Sequence, residues 1–216
     1  MKTLLIISFF FVKQVDSFCQ LPDFIHNYTK QDSATNPLID SFAKQYNFIM
    51  AYTEQSYWWS DRKNYKILAY SNNRWTYWTY SESILQGTKK KNIKTIQIDK
   101  VRAKHFFKGE KTLENLSVSQ LLNDLTKNAF WALNNDSLNQ TGVFERVAQN
   151  GDTITRFASI DDGINYRFDL LKDNNLRSIE SYEPEYFLTQ FPNMSSRKIF
   201  IRNRDIFLNW WEKYCH

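Results

Sequence analysis

Two strand-forming runs, residues 65–71 and 74–80, are separated only by Asn72-Asn73, and that pair constrains the fold more than any other feature of the chain. A two-residue hairpin turn needs left-handed backbone at its central positions, which asparagine tolerates better than most side chains. The turn fixes a register in which Tyr70 faces Trp75, Leu68 faces Tyr77 and Ile67 faces Trp78. Because side chains alternate along a strand, large groups then stand on both faces of this ribbon. At least one face has to be covered by something else.

The second half of the chain repeats the pattern. Asn150-Gly151 lies between runs 143–149 and 152–159, and a two-residue turn there sets Glu145 opposite Arg156 and Phe144 opposite Phe157. Asp161-Asp162-Gly163 turns the chain again. In the next run Ile164, Tyr166, Phe168 and Leu170 alternate with Asn165, Arg167 and Asp169, which predicts a strand with one wet face. A turn over 172–175 leads to a fourth strand, 176–182, and residues 93–101 read as a further strand between the two halves.

Helices are expected around these strands. Asn36-Pro37 supplies an N-cap and an N1 proline, and Leu38, Phe42, Tyr46, Ile49 and Thr53 follow at helical spacing. Ser117 and Gln120 have capping-box spacing ahead of the stripe Val118, Leu121, Leu122, Leu125 and Ala129, and residues 134–141 then read as a polar loop. Pro184 opens a short helix that Pro192 stops, and a last helix from about Ser195 carries Phe200, Phe207, Trp210 and Trp211 on its broad apolar face. The expected fold is α+β. Its sheet is mostly antiparallel, built from an aromatic hairpin in the N-terminal half and a four-stranded meander in the C-terminal half, and packed by two or three amphipathic helices.

The first residues predict an address. Lys2 is a positive start, residues 4–12 are apolar, and Ser17 and Cys19 put small side chains before a cut ahead of Gln20. An apolar run of that length falls well short of the roughly twenty residues that span a bilayer. Residues 1–19 are therefore read as a signal peptide and residues 20–216 as one α+β domain, periplasmic or secreted and without a transmembrane segment once mature. Removal of Cys19 leaves Cys215 as the remaining thiol, so no intrachain disulfide forms and core burial has to hold the domain together. Cys215 itself is expected to be an inert thiol at a frayed terminus. The bias toward Asn, Lys and Ile favours a bacterial envelope over a eukaryotic secretory route, although five Asn-x-Ser/Thr triplets begin at Asn27, Asn115, Asn135, Asn139 and Asn193.

The formal net charge of +5 is modest, and the one basic run, Lys89-Lys90-Lys91 with Lys94, suits a solvated loop. Nucleic-acid binding would need a basic stripe or face, which this pattern lacks. His26, His105 and His216 are far apart and have no closely spaced partners, so neither a metal nor a cofactor is expected. Asp161-Asp162-Gly163 lacks the alternate oxygen ligands of a calcium loop. No nucleophile elbow, zinc-protease helix or phosphate loop is present in the sequence.

What remains is aromatic. Tyr57, Trp58, Trp59, Trp75, Tyr77, Trp78 and Tyr80 form the candidate binding surface, since such rings stack on sugars, bases or acyl chains while tolerating a wet rim. The bland alternative is that they fill a core. The functional expectation is a non-catalytic module that binds a ligand or a protein partner. Its rival is a hydrolase of envelope glycans or peptides that uses carboxylates brought together by the fold, such as Glu54 with Asp61 or Glu180 with Glu183.

Overall fold

The computed structural model describes residues 21–23, 37–56, 64–81, 84–86, 100–102, 106–140, 143–161, 163–173 and 175–215. Its elements begin with α1 (Pro37–Ala43), β1 (Phe48–Ser56), β2 (Asn64–Ser71), β3 (Arg74–Ser81), β4 (Ile84–Gln86), β5 (Lys100–Arg102) and β6 (Phe106–Leu113). There follow α2 (Asn115–Lys127), a 3-10 turn (Phe130–Ala132), α3 (Asn135–Leu138), β7 (Val143–Val147), β8 (Thr153–Phe157), β9 (Ile164–Lys172), β10 (Asn175–Tyr182), α4 (Pro184–Gln190) and α5 (Ser195–Tyr214). The fold is α+β. Six strands form an antiparallel sheet in the order β10-β9-β1-β2-β3-β6, and β4-β5 and β7-β8 are separate two-stranded ribbons.

The first hairpin has the register expected of it, with Tyr70 opposite Trp75 and Leu68 opposite Tyr77. Asn72 and Asn73 hold φ of 49° and 60°, both left-handed, so the turn twists with its strands. The second hairpin slips by one residue: Val143 pairs with Phe157, and Thr155, not Arg156, faces Glu145. The reason lies in its loop. Ala148 N–H donates to Asp152 O (2.7 Å) and Gly151 N–H to Ala148 O (3.0 Å), while Gly151 alone takes positive φ, 89°. That is a three-residue loop, with one more residue in the turn than the Asn-Gly pattern implies.

Two other expectations are corrected. The helix predicted across Leu38, Phe42, Tyr46, Ile49 and Thr53 ends at Ala43, and residues 48–53 instead form the buried start of β1, a central strand. FIMAYT is apolar at nearly every position because both of its faces are covered, and periodicity alone cannot separate such a run from a helix. The predicted meander is divided. Strands β9 and β10 join the main sheet beside β1, whereas β7 and β8 pair only with each other among the described residues.

One sheet face packs against α2, the 3-10 turn and α5. There Phe48, Met50, Tyr52, Leu68, Trp75 and Phe168 meet Val118, Leu122, Phe130, Phe200 and Phe207. Two polar ties fix the helices: Trp210 Nε1 donates to Ser117 O (2.9 Å), and the buried Arg197 donates to Leu138 O (2.9 Å) and Gln140 O (3.0 Å), capping α3. Cys215 lies buried in this same core, so the thiol expected at a frayed end is packed. On the opposite face α1 lays Ile39 and Phe42 over Ile49, Ala51, Ile67, Ala69, Tyr80 and Leu171.

Short α3 lies in the segment read as a polar loop. Asn134 caps it by accepting from Ser137 N–H (2.8 Å), and Asn135 then behaves like a strand residue toward the sheet edge. Its Nδ2 donates to Ser178 O (3.1 Å) and its Oδ1 accepts from Glu180 N–H (2.9 Å), satisfying edge groups of β10 that would otherwise be free for another chain.

Candidate functional site

The aromatic hairpin is core on both sides. Trp75 is fully buried, edge-on to Phe48 at 5.7 Å, and Tyr77 is 6% exposed and edge-on to Trp211 at 5.5 Å. On the other face Tyr80, 3% exposed, tilts against Tyr65, and half-buried Trp78 meets Phe42 at 5.7 Å. The expected aromatic binding surface is thus closed at Trp75, Tyr77 and Tyr80, because helices pack on one face of the ribbon and α1 on the other. Tyr57, Trp58 and Trp59 lie outside the described residues, as do the signal segment, the lysine run and the three histidines.

At the turn end of that same hairpin there is an opening of about 500 Å³. It is lined by Gln45, Tyr46, Ser71, Asn72, Arg74 and Thr76, with Thr112 completing the wall. Each comes from a defined position. The chain leaving α1 turns tightly, with Gln45 and Tyr46 N–H groups both donating to Phe42 O (2.9 and 3.0 Å), which brings their side chains over the hairpin tip. The left-handed turn presents Asn72, and ladder pairing sets Thr76 between Ala69 of β2 and Thr112 of β6. Trp78, two residues beyond Thr76 on the same face, donates from Nε1 to Tyr46 Oη (3.1 Å) and so anchors the tyrosine.

Thr76 is the unusual member. It is 9% exposed, and its Oγ1 is buried with no hydrogen-bond partner. Leaving a buried hydroxyl unpaired costs about 1–3 kcal/mol. Thr53, Ser181, Asn203 Oδ1 and Trp75 Nε1 are also unpaired, but none of them lines this cleft. A second, more open groove of about 440 Å³ runs along α4 and α5 past Leu188, Ile201 and Ile206, without any buried unpaired polar atom in its wall.

Carboxylates cluster elsewhere, and each cluster is engaged. On β9 and β10 the side predicted to be wet is largely closed, with Asp169 fully buried. Arg167 Nε contacts Asp169 Oδ1 at 2.7 Å, its Nη2 donates to Ser178 Oγ (2.8 Å), and its Nη1 lies 3.8 Å from Glu180. Burial acts to lower the affinity of Arg167 for its proton, but the charge and hydrogen bond of Asp169 and the charge of Glu180 outweigh it and raise the pKa. Cross-strand pairing makes this network, since Arg167 sits opposite Glu180 and Asp169 opposite Ser178.

Near the other end of β1 and β9, Tyr52 donates to Glu54 (2.7 Å), and Arg204 bridges Glu185 (2.5 Å) and Asp205 (2.8 Å) with its guanidinium 4.6 Å over the Tyr166 ring. Burial, followed by the hydrogen bond to Glu54, pushes the Tyr52 hydroxyl well above the ordinary phenol range. Glu183 accepts from Ile164 N–H (2.5 Å). Of the acids considered for hydrolysis, Glu54, Glu180 and Glu183 therefore each hold a structural partner, and Asp61 lies outside the described residues.

Among the described residues no three His, Cys, Asp or Glu side chains gather as a metal site would require, and no helix is long and apolar enough to cross a membrane. The cleft residues Gln45, Tyr46, Ser71, Arg74, Thr76 and Thr112 went unread in the sequence. The available signal was Thr76 itself, a small polar residue interrupting the face that Trp78 and Tyr80 make apolar. Compared with known protein families, curated proteins and solved structures, the chain matches none.

Proposed function

We propose that this chain is a non-catalytic binding module, exported to the periplasm or secreted, whose ligand seat is the polar cleft at the tip of the aromatic hairpin. The observation that carries this reading is a polar opening with the exposed Arg74 guanidinium at its rim, which makes no ion pair or hydrogen bond among the described residues. A ligand there would give that guanidinium hydrogen-bond acceptors that the fold does not supply. The cleft also has the volume of ordinary small-molecule sites. The hairpin aromatics serve the site from beneath: Trp78 holds Tyr46, and Trp75 and Tyr77 lock β3 into the core. Export is supported by the layout of residues 1–19, a positive start, an apolar stretch and small residues ahead of Gln20. Among the described residues no carboxylate lines the opening, which favours binding over acid-base hydrolysis at this place.

The test is an amide chemical-shift titration of the full chain with three small probes: glucose, glycine and inorganic phosphate. The expected result is saturable shifts confined to residues 45–46, 71–76 and 112 with at least one probe. Shifts elsewhere, or none at all, would refute the reading.

A further inference from the structure

The chemical class of the ligand follows from what lines the cleft, and this step rests on the binding-module reading above. We infer that the cleft takes an oxyanion, a carboxylate, phosphoryl or sulfuryl group carried by a small molecule.

Its wall is rich in hydrogen-bond donors. Arg74 is exposed at the rim, and its guanidinium makes no ion pair or hydrogen bond among the described residues. A guanidinium offers five N–H donors in a planar fork and accepts nothing. Tyr46 Oη already accepts from Trp78 Nε1, which leaves its own proton to be donated. Ser71 and Thr112 add two hydroxyls, and Gln45 adds an amide. Among the described residues no Asp or Glu lines the opening to compete for Arg74.

A neutral sugar would fit this wall poorly. Its hydroxyls must donate as well as accept, and the strongest acceptors for them, carboxylates, are missing from the lining among the described residues. It would also gain little from an unpaired guanidinium. An oxyanion instead accepts from every group named, with Arg74 at the rim. The neighbouring backbone is also suited to close approach. Two successive left-handed residues, Asn72 and Asn73, turn the chain tightly just before Arg74.

The experiment titrates the full chain with inorganic phosphate, sodium sulfate, acetate and glucose at constant ionic strength, reading amide shifts at residues 45–46, 71–76 and 112. At least one anion should give saturable shifts there, and the ranking among the three distinguishes a phosphoryl, sulfuryl or carboxylate source. Arg74→Gln should weaken that binding at least tenfold, and Arg74→Lys should recover part of it, with thermal midpoints unchanged because Arg74 carries no internal contact to lose. Shifts by glucose and not by the anions would overturn the oxyanion inference while leaving the binding module standing. Anion shifts that persist in Arg74→Gln would mark nonspecific ion effects and overturn it too. No shift in the cleft with any probe would overturn both.

Discussion

Tyr52 shows how burial converts a side chain into a pH-dependent strut. Its hydroxyl is removed from water and donates to Glu54, so the folded state holds the proton more tightly than the unfolded chain, where the value is near 10.0. The sign follows directly. Stability from this group is intact below pH 10.0 and is lost as pH rises past it, because only the unfolded chain can then release the proton readily. Tyr166 is shifted the same way, by burial first and then by the charge of Glu185. Urea unfolding followed at pH 8 and at several values above 10 should show wild-type stability falling on the alkaline side. Tyr52→Phe should fall less steeply while starting slightly lower. Parallel alkaline limbs in the two proteins would show that Tyr52 titrates alike in both states. Glycine acts at the same scale through space: a Cβ on Gly163 would come within 2.3 Å of Glu183 Cγ and 2.5 Å of Tyr182 Cζ, so the hairpin end closes only over a hydrogen atom.

Elements were legible where the turn chemistry was unambiguous. Asn72-Asn73 specified the β2-β3 register because both residues can enter the left-handed region. Pro184 and Pro192 bounded α4 for a similar reason, since proline starts helices and cannot continue them. Asn150-Gly151 misled by one residue because a glycine at the third position of a longer loop leaves the same dipeptide in the sequence. β1 was hidden because a strand buried on both faces loses its alternation, and its residues fell by coincidence at helical spacing with Leu38 and Phe42. α3 was hidden for want of length: its four residues are held by the Asn134 cap and by Asn135 rather than by an apolar stripe. Asn135→Ala removes two hydrogen bonds to β10 and should cost about 2 kcal/mol in unfolding free energy. Hydrogen exchange at the Glu180 amide should accelerate with it. Unchanged protection at Glu180 would mean that the β10 edge is guarded by something other than α3.

At the scale of the whole molecule, the α+β class was readable and the candidate site was not. The class follows from strand runs and helical stripes, which are local in sequence. The cleft is assembled from the end of α1, the β2-β3 turn and Thr112 of β6, three segments that only the finished sheet brings together. The aromatics that drew attention in the sequence are the means by which that assembly is held. They fill both faces of β3, while Arg74 at the start of the strand is left to meet solvent or a ligand and Thr76 is buried between them. The unpaired buried hydroxyl of Thr76 is a stability cost in the wall beside the cleft. Thr76→Val keeps the side-chain shape and removes only the hydroxyl. Equilibrium urea unfolding of this variant beside the wild type, without ligand, measures that cost. If the hydroxyl is unpaired as the fold places it, Thr76→Val should be more stable by about 1 kcal/mol. A loss of about 1 kcal/mol or more would show that the hydroxyl has a partner in the folded protein and would contradict the packing described for the wall beside the cleft.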